Sequence, residues 1–174
     1  MKNCSEICKK CGGACCKRYP GATIPSQWGK DDEEILENLT EAFKSKKWAI
    51  DWCENDPRRG KYEAGDFYFV RPADKEYGDE FLFCPLWKGE CVFLTPKGCS
   101  LPEEKRPLEC RALIPRKDFK CIPCFTKKEA AILWIPYRDI ILEAAKRSGR
   151  FEERAETEDL FWEAGGIFPG LGLI

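Results

Sequence analysis

The sequence predicts a small, irregular α+β domain with short antiparallel strands and packed C-terminal helices. Three observations lead to it. Two runs rich in aromatic and β-branched residues, 48–52 and 67–71, follow one another closely and read as strands. Apolar residues recur at helical spacing in 31–46 and again from residue 126 onward. Residues 1–18 and 83–111 are dense in Cys, Gly and Pro, with too many breaks for long regular elements.

In chain order, residues 31–46 (DDEEILENLTEAFKSK) place Ile35, Leu39, Ala42 and Phe43 on one stripe, with the acidic residues in the first turn, where the helix dipole favours them. In 48–52, Trp48, Ile50 and Trp52 alternate with Ala49 and Asp51, as a strand requires. A polar connection, 54–66, leads to the second strand, and the two form a small antiparallel sheet. Thr126 and Glu129 have the spacing of a capping box, opening a helix through Ala130, Ala131, Leu133 and Trp134. Pro136 kinks it or starts a second helix, which runs through Ile140, Ile141 and Ala144 to a stop at Gly149. A last short helix is expected over 157–164, before a glycine-rich apolar tail. This divides the chain into a cysteine-rich part, 1–125, and a helical extension, 126–174, packed on it.

A chain of 174 residues can bury roughly two-thirds of its unfolded surface, so it does not need a bound group merely to obtain a core. Basic and acidic residues balance at 29 and 30, which leaves no overall field for nucleic acid or an anionic membrane. The basic run 57–61 reads as a solvated turn. No stretch of about 18 apolar residues exists, and the first residues lead into no apolar signal core, so a cytoplasmic location is expected. A protein partner or substrate stays open.

Twelve cysteines and no histidine set the chemistry. In a reducing cytosol so many thiols point to metal ligation or redox work more than to disulfides. The absence of histidine removes mixed Cys/His zinc sites, two-histidine-one-carboxylate iron sites and histidine acid–base catalysis. Cys8 and Cys11, followed by Gly12, form a metal knuckle, because two thiolates at this spacing can wrap one ion. Cys15 and Cys16 follow; adjacent cysteines in an extended chain point apart, so they are expected to serve different metals, or one is not a ligand. Cys84, Cys91, Cys99 and Cys110 are spaced too widely for one loop and must be gathered by tertiary folding. Cys121 and Cys124 make a second two-spaced pair, which with Cys8 and Cys11 could close a four-cysteine zinc ribbon. Cys4 and Cys53 stand outside these groups, and Cys53, beside a strand, reads as a buried thiol. The lysines and arginines near these sulfurs, Arg106 and Arg111 above all, would lower the cost of thiolate charge. Asp51, Asp66, Asp79 and Arg71 have nothing in their spacing to lift them above surface residues. The six tryptophans read mainly as core, and some would shield a cluster from water.

The pattern Cys8-x2-Cys11-Gly-Gly-Ala-Cys15-Cys16, then Cys91-x7-Cys99-Ser100, Arg106-Pro107 and Cys110-Arg111 with Pro115 beyond, resembles the cysteine-cluster family of zinc- or iron-chelating domain proteins. Flagellin lysine N-methylases carry a similar pattern. The resemblance spans roughly residues 8–116 and implies that Cys8, Cys11, Cys15, Cys16, Cys91, Cys99 and Cys110 are family cysteines. It implies a metal and little further chemistry. Zinc and iron–sulfur clusters both accept four thiolates. The close Cys-x2-Cys-x3-Cys spacing, the Cys84-Pro85 pair and the abundant aromatics favour an iron–sulfur cluster, 4Fe-4S in type. The two Cys-x2-Cys pairs favour structural zinc. Cys4-x3-Cys8-x2-Cys11 has the spacing of radical S-adenosylmethionine enzymes but lacks their strand–helix series, and no βαβ pattern supports thiol-redox work at Cys121 and Cys124. The expected fold is thus metal-centred, with a role in electron or methyl-group transfer or, alternatively, in zinc-stabilised protein interaction.

Overall fold

The computed structural model describes residues 10–53, 58, 67–85, 89–114, 116 and 121–154. The first helix, α1 (Asp32–Lys44), starts where the sequence demands: the Asp31 carboxylate accepts from the Glu34 amide at 2.9 Å, and Asp32, Glu33 and Glu34 fill the first turn. Its stripe of Ile35, Leu39, Ala42 and Phe43 is buried. The chain then reverses through Lys46, in the left-handed region at φ 59°, and enters β1 (Trp48–Cys53).

Strand β1 pairs antiparallel with β2 (Phe67–Pro72), Ile50 facing Val70 and Ala49 facing Arg71. The expected alternation is only half present. Ala49, Ile50 and Asp51 are all buried, whereas Trp48 and Trp52 are partly exposed. Cover on both faces and along one edge explains this, since residues 82–84 run parallel to β1, with the Ile50 amide donating to Leu82 O (2.8 Å) and the Cys84 amide to Ile50 O (2.9 Å).

The cysteine-rich middle folds into minimal elements: a hairpin of β3 (Leu94–Thr95) and β4 (Gly98–Cys99), a one-turn helix α2 (Leu108–Arg111), and a hairpin of β5 (Leu113–Ile114) and β6 (Ile122–Pro123). Helix α3 (Lys127–Trp134) opens on the capping box, Thr126 and Glu129 satisfying each other's amides. Pro136 sits in a 3-10 turn that leads directly into α4 (Arg138–Ser148), closed by Gly149 at φ 77°. The helix expected over 157–164 and the terminal tail lie outside the described residues.

The fold is α+β, as the sequence predicts, but an apolar core organises it. Ile35, Leu39 and Phe43 of α1 meet Ile50, Phe69 and Val70 of the strands, Trp134 of α3, and Ile141, Ala144 and Ala145 of α4. Among the described residues no group of three or more Cys, Asp or Glu side chains stands close enough to hold a metal ion, so the expected metal-centred organisation has no support there. Nor is any helix among them long and apolar enough to cross a membrane.

Trp134 is fully buried and its indole N–H donates to Thr23 O at 2.8 Å, tying α3 to the segment before α1. Trp134→Ala is expected to cost about 3–5 kcal/mol through the cavity and the orphaned carbonyl. Urea denaturation followed by circular dichroism measures it.

Candidate metal centre

Two consecutive left-handed glycines, Gly12 (φ 63°) and Gly13 (φ 72°), turn the cysteine-rich segment. A Cβ on Gly13 would lie 2.7 Å from Leu94 Cδ1, so only glycine lets the loop sit against β3. Beyond it the backbone coils, with the Lys17 amide on Gly13 O (3.1 Å) and the Tyr19 amide on Cys15 O (2.9 Å). The coil overturns the premise that Cys15 and Cys16 diverge: their Sγ atoms lie 3.9 Å apart.

Backbone hydrogen bonds carry the other cysteines to this turn. The Cys91 amide donates to Cys16 O at 2.7 Å and the Gly89 amide to Arg18 O at 3.0 Å, joining the loop to the Cys91 segment. Cys99 follows on β4 and packs with Cys16 against Cys91, Phe93 and Leu94. Cys110 arrives on α2, which is held by Ala22 N donating to the Glu109 carboxylate (2.7 Å) and Glu109 N to Ala22 O (3.2 Å). Its sulfur fills the space a side chain at Gly21 would need; a Cβ there would lie 2.6 Å from Cys110 Sγ.

The electrostatics show that these thiols share one neighbourhood. The hydrogen bond shared by the Cys15 and Cys16 sulfurs pulls the Cys15 pKa down to about 6 against the opposing effect of burial. Cys16 is pushed up by that same hydrogen bond, then by burial and the charges of Cys15, Cys110 and Cys91. Burial raises Cys91 to about 11, with Cys99 adding to the shift. Burial also raises Cys110, helped by Cys91, Cys15 and Glu109. Cys15, Cys16, Cys91, Cys99 and Cys110 are therefore near enough to feel one another's charge without standing at coordination distance. A cation among them would remove the penalty that burial places on their thiolates.

Cys84 belongs to a different environment. Burial raises it to about 12; Arg71 opposes that shift, while Asp74 and Asp51 reinforce it. Arg71 is buried, and each of its nitrogens is used: Nε donates to Asp51 Oδ2 (2.8 Å), Nη1 to Pro72 O (2.9 Å) and Nη2 to Cys84 O (2.6 Å). Sequence reasoning placed Arg71 and Asp51 among surface residues. The strand register was the available signal, because Arg71 faces Ala49 and so lies diagonal to Asp51 on one face of the ribbon. Of the other acids named there, Asp79 is exposed and Asp66 lies outside the described residues.

Cys124 is exposed just past β6, its amide on Ala112 O (3.1 Å), and Cys121 precedes the strand, so α2 and the β5–β6 hairpin form one continuous unit. Cys11 opens the glycine turn, whereas Cys8 and Cys4 lie outside the described residues, and with Cys8 goes any view of the four-cysteine ribbon. Cys53 packs against the apolar core. Cys15, Cys16, Cys84, Cys91, Cys99, Cys110 and Cys124 form no disulfides. The basic residues flanking the cysteines play a smaller part than their positions suggest. Lys10, Lys17, Arg18 and Arg111 are exposed, and Arg106 donates to Leu101 O (3.1 Å). The cation that reaches the thiols is Arg71, which favours the thiolates of both Cys84 and Cys91.

No family model matches the chain, and no curated protein or solved structure matches it either.

Two outcomes follow. Asp51→Asn removes the carboxylate bonded to the buried Arg71, leaving Asp74 as the remaining carboxylate near it, and is expected to cost about 3 kcal/mol, the lower part of the range for breaking a buried pair because the amide still offers an acceptor; the denaturation midpoint reports it. In metal-free protein at pH 7, Cys15, whose hydrogen bond to Cys16 lowers its pKa, should react with iodoacetamide faster than Cys91, whose pKa burial raises, by about 10-fold or more. A mass-spectrometric time course of alkylation reads the ratio.

Proposed function

We propose that this chain is a metal-binding protein whose sites are built mainly from cysteine thiolates. The observation that carries the reading is the convergence of Cys15, Cys16, Cys91, Cys99 and Cys110, from segments up to 95 positions apart, into one electrostatic neighbourhood with no disulfide among them. The donor set fits a thiophilic ion, and unpaired thiols in this number suit the cytoplasm. Cys8, Cys11, Cys121 and Cys124 are further ligands proposed from the sequence alone.

Between the two groups such donors accept, we favour an iron–sulfur cluster of the 4Fe-4S type. Trp48 packs on Cys91, Phe93 and Leu94 and stacks edge-on to Trp28 at 4.8 Å, a wall of the kind that limits solvent access to a cluster. Such a cluster would supply one-electron chemistry, in electron transfer or in support of methyl-group transfer. The chain's own contribution is to bring the thiols together through backbone hydrogen bonds and to exclude water around them.

A second reading, a zinc-stabilised protein-interaction module, gains from one feature. Ile114 and Ile122 face each other across the β5–β6 hairpin and are both exposed, beside Cys121 and Cys124. Such an apolar tip suits a protein partner better than a reaction.

Elemental analysis and an absorption spectrum of protein purified without air separate the two. Iron with absorption near about 400 nm is the expected result for the cluster; zinc without iron selects the interaction module; absence of both metals overturns the proposal. Cys91→Ser and Cys110→Ser should each lose most of the bound metal, and Cys53→Ser none. Equal loss in all three variants would refute this ligand set.

A further inference from the structure

The sequence suggests sites made of sulfur alone, yet a carboxylate lies buried beside two of the cysteines. Asp74 is 2 % exposed. Its Oδ1 accepts from the amides of Glu76 (2.9 Å) and Tyr77 (2.7 Å), which fixes the carboxylate in the turn after β2. That turn is tight, with the Gly78 amide on Asp74 O (3.2 Å) and no room for a Cβ at Gly78, which would lie 2.5 Å from Ala73 Cβ. Asp74 Oδ2 is buried with no hydrogen-bond partner, the one such side-chain oxygen or nitrogen among the described residues. Leaving a charged acceptor unsatisfied in the interior is costly, so an oxygen held this way is an acceptor awaiting a donor or a cation.

Its surroundings decide which. Asp74 pairs with Cys91 across an antiparallel bridge, flanked by Lys75 N on Glu90 O (2.9 Å) and Val92 N on Ala73 O (2.9 Å). That arrangement is the non-hydrogen-bonded type, in which the two side chains project to one side with Cβ atoms about 4.5–5.5 Å apart. Asp74 also lies within electrostatic reach of Cys84 and Arg71. The guanidinium offers it no hydrogen bond, its nitrogens being engaged by Asp51, Pro72 O and Cys84 O. Two buried carboxylates thus face one buried guanidinium, and the surplus negative charge lies next to two thiols.

We propose that Asp74 is an oxygen ligand which, with Cys84 and Cys91, holds a divalent cation in a mixed sulfur–oxygen site. The backbone pairing already sets Asp74 against Cys91, and the three donors, which do not stand close enough to hold an ion as placed, would have to turn toward it. A carboxylate between thiolates suits zinc or ferrous iron, which accept both donor types. Cys91 then joins this site to the thiol group of Cys15, Cys16, Cys99 and Cys110. The inference rests on the metal-binding reading above.

The test loads metal-free full-length protein with zinc and records X-ray absorption at the zinc edge, with affinity from competition against a chelator. Wild-type protein should show an oxygen shell at about 2.0–2.2 Å beside sulfur at about 2.3 Å. Asp74→Asn retains an Oδ1 for the Glu76 and Tyr77 amides; it should lose that oxygen shell and weaken binding about 10-fold or more. A sulfur-only shell in the wild type, or an oxygen shell that survives Asp74→Asn, overturns this inference and leaves the thiolate proposal standing. Failure of the wild type to bind zinc or iron overturns both. Even if the variant does not fold, a sulfur-only shell in the wild type overturns the inference.

Discussion

The buried Arg71 guanidinium ties the two halves of this molecule together. It sits on β2, on the same face of the β1–β2 ribbon as Asp51, and its three nitrogens donate to Asp51 on β1, the carbonyl of Pro72 and the carbonyl of Cys84. Burial alone opposes its charge, and the carboxylate of Asp51, with Cys84 and Asp74 beyond, more than offsets that effect. A hydrophobic residue of similar volume would often give a fold as stable as a buried ion pair does. What it would not give is a fixed direction. The planar fork sets the 82–84 edge against β1 at one register, and on that register depends where the chain delivers Cys84, Asp74 and Cys91.

The cysteine region joins one small apolar cluster around Cys91, Phe93 and Leu94 to an extensive set of backbone hydrogen bonds. Its strands are two residues long and its helix is a single turn, lengths that bury little apolar surface. The bonds from Cys91 N to Cys16 O, Ala22 N to Glu109 and Ser100 N to Phe93 O therefore carry much of its order. They gather the thiols where the thiolate form is disfavoured: apart from Cys15, those whose pKa moves all move up, chiefly through burial at Cys84, Cys91 and Cys110 and, at Cys16, through its hydrogen bond to Cys15. On the proposed reading, a cation would favour the thiolates that burial disfavours, and its binding energy would add to the stability of this region.

The regular elements were legible because each is specified locally. The acidic first turn and apolar stripe gave α1, the Thr126–Glu129 box opened α3, and Gly149 closed α4. The cysteines were legible as a set but not in their grouping, which depends on contacts remote in sequence. Cys15 and Cys16 converge only because Gly12 and Gly13 adopt left-handed geometry, and Cys84 parts from Cys15, Cys16, Cys99 and Cys110 because it lies on an edge strand whose partner is β1. Asp51 and Arg71 were misjudged for a related reason. Alternation in β1 assigns Asp51 to the polar side, and only the 73–85 segment folding over that side makes it interior.

Asp74 shows why a fold tolerates such an arrangement. Its turn would be satisfied by an asparagine, since only Oδ1 caps the Glu76 and Tyr77 amides, and the amide would avoid burying a second carboxylate beside Asp51. Stability gives the charge one reason, its attraction to Arg71, and none for leaving Oδ2 without a partner. Residues that break a local rule with no structural return are found where function requires them, and here the broken rule, an unsatisfied buried oxygen, lies across one bridge from a thiol of the proposed site. On the proposal above, sulfur counting alone would misassign the coordination. The cysteines stand out in the sequence by their number, whereas a single aspartate among 30 acidic residues is distinguished only by where the backbone puts it.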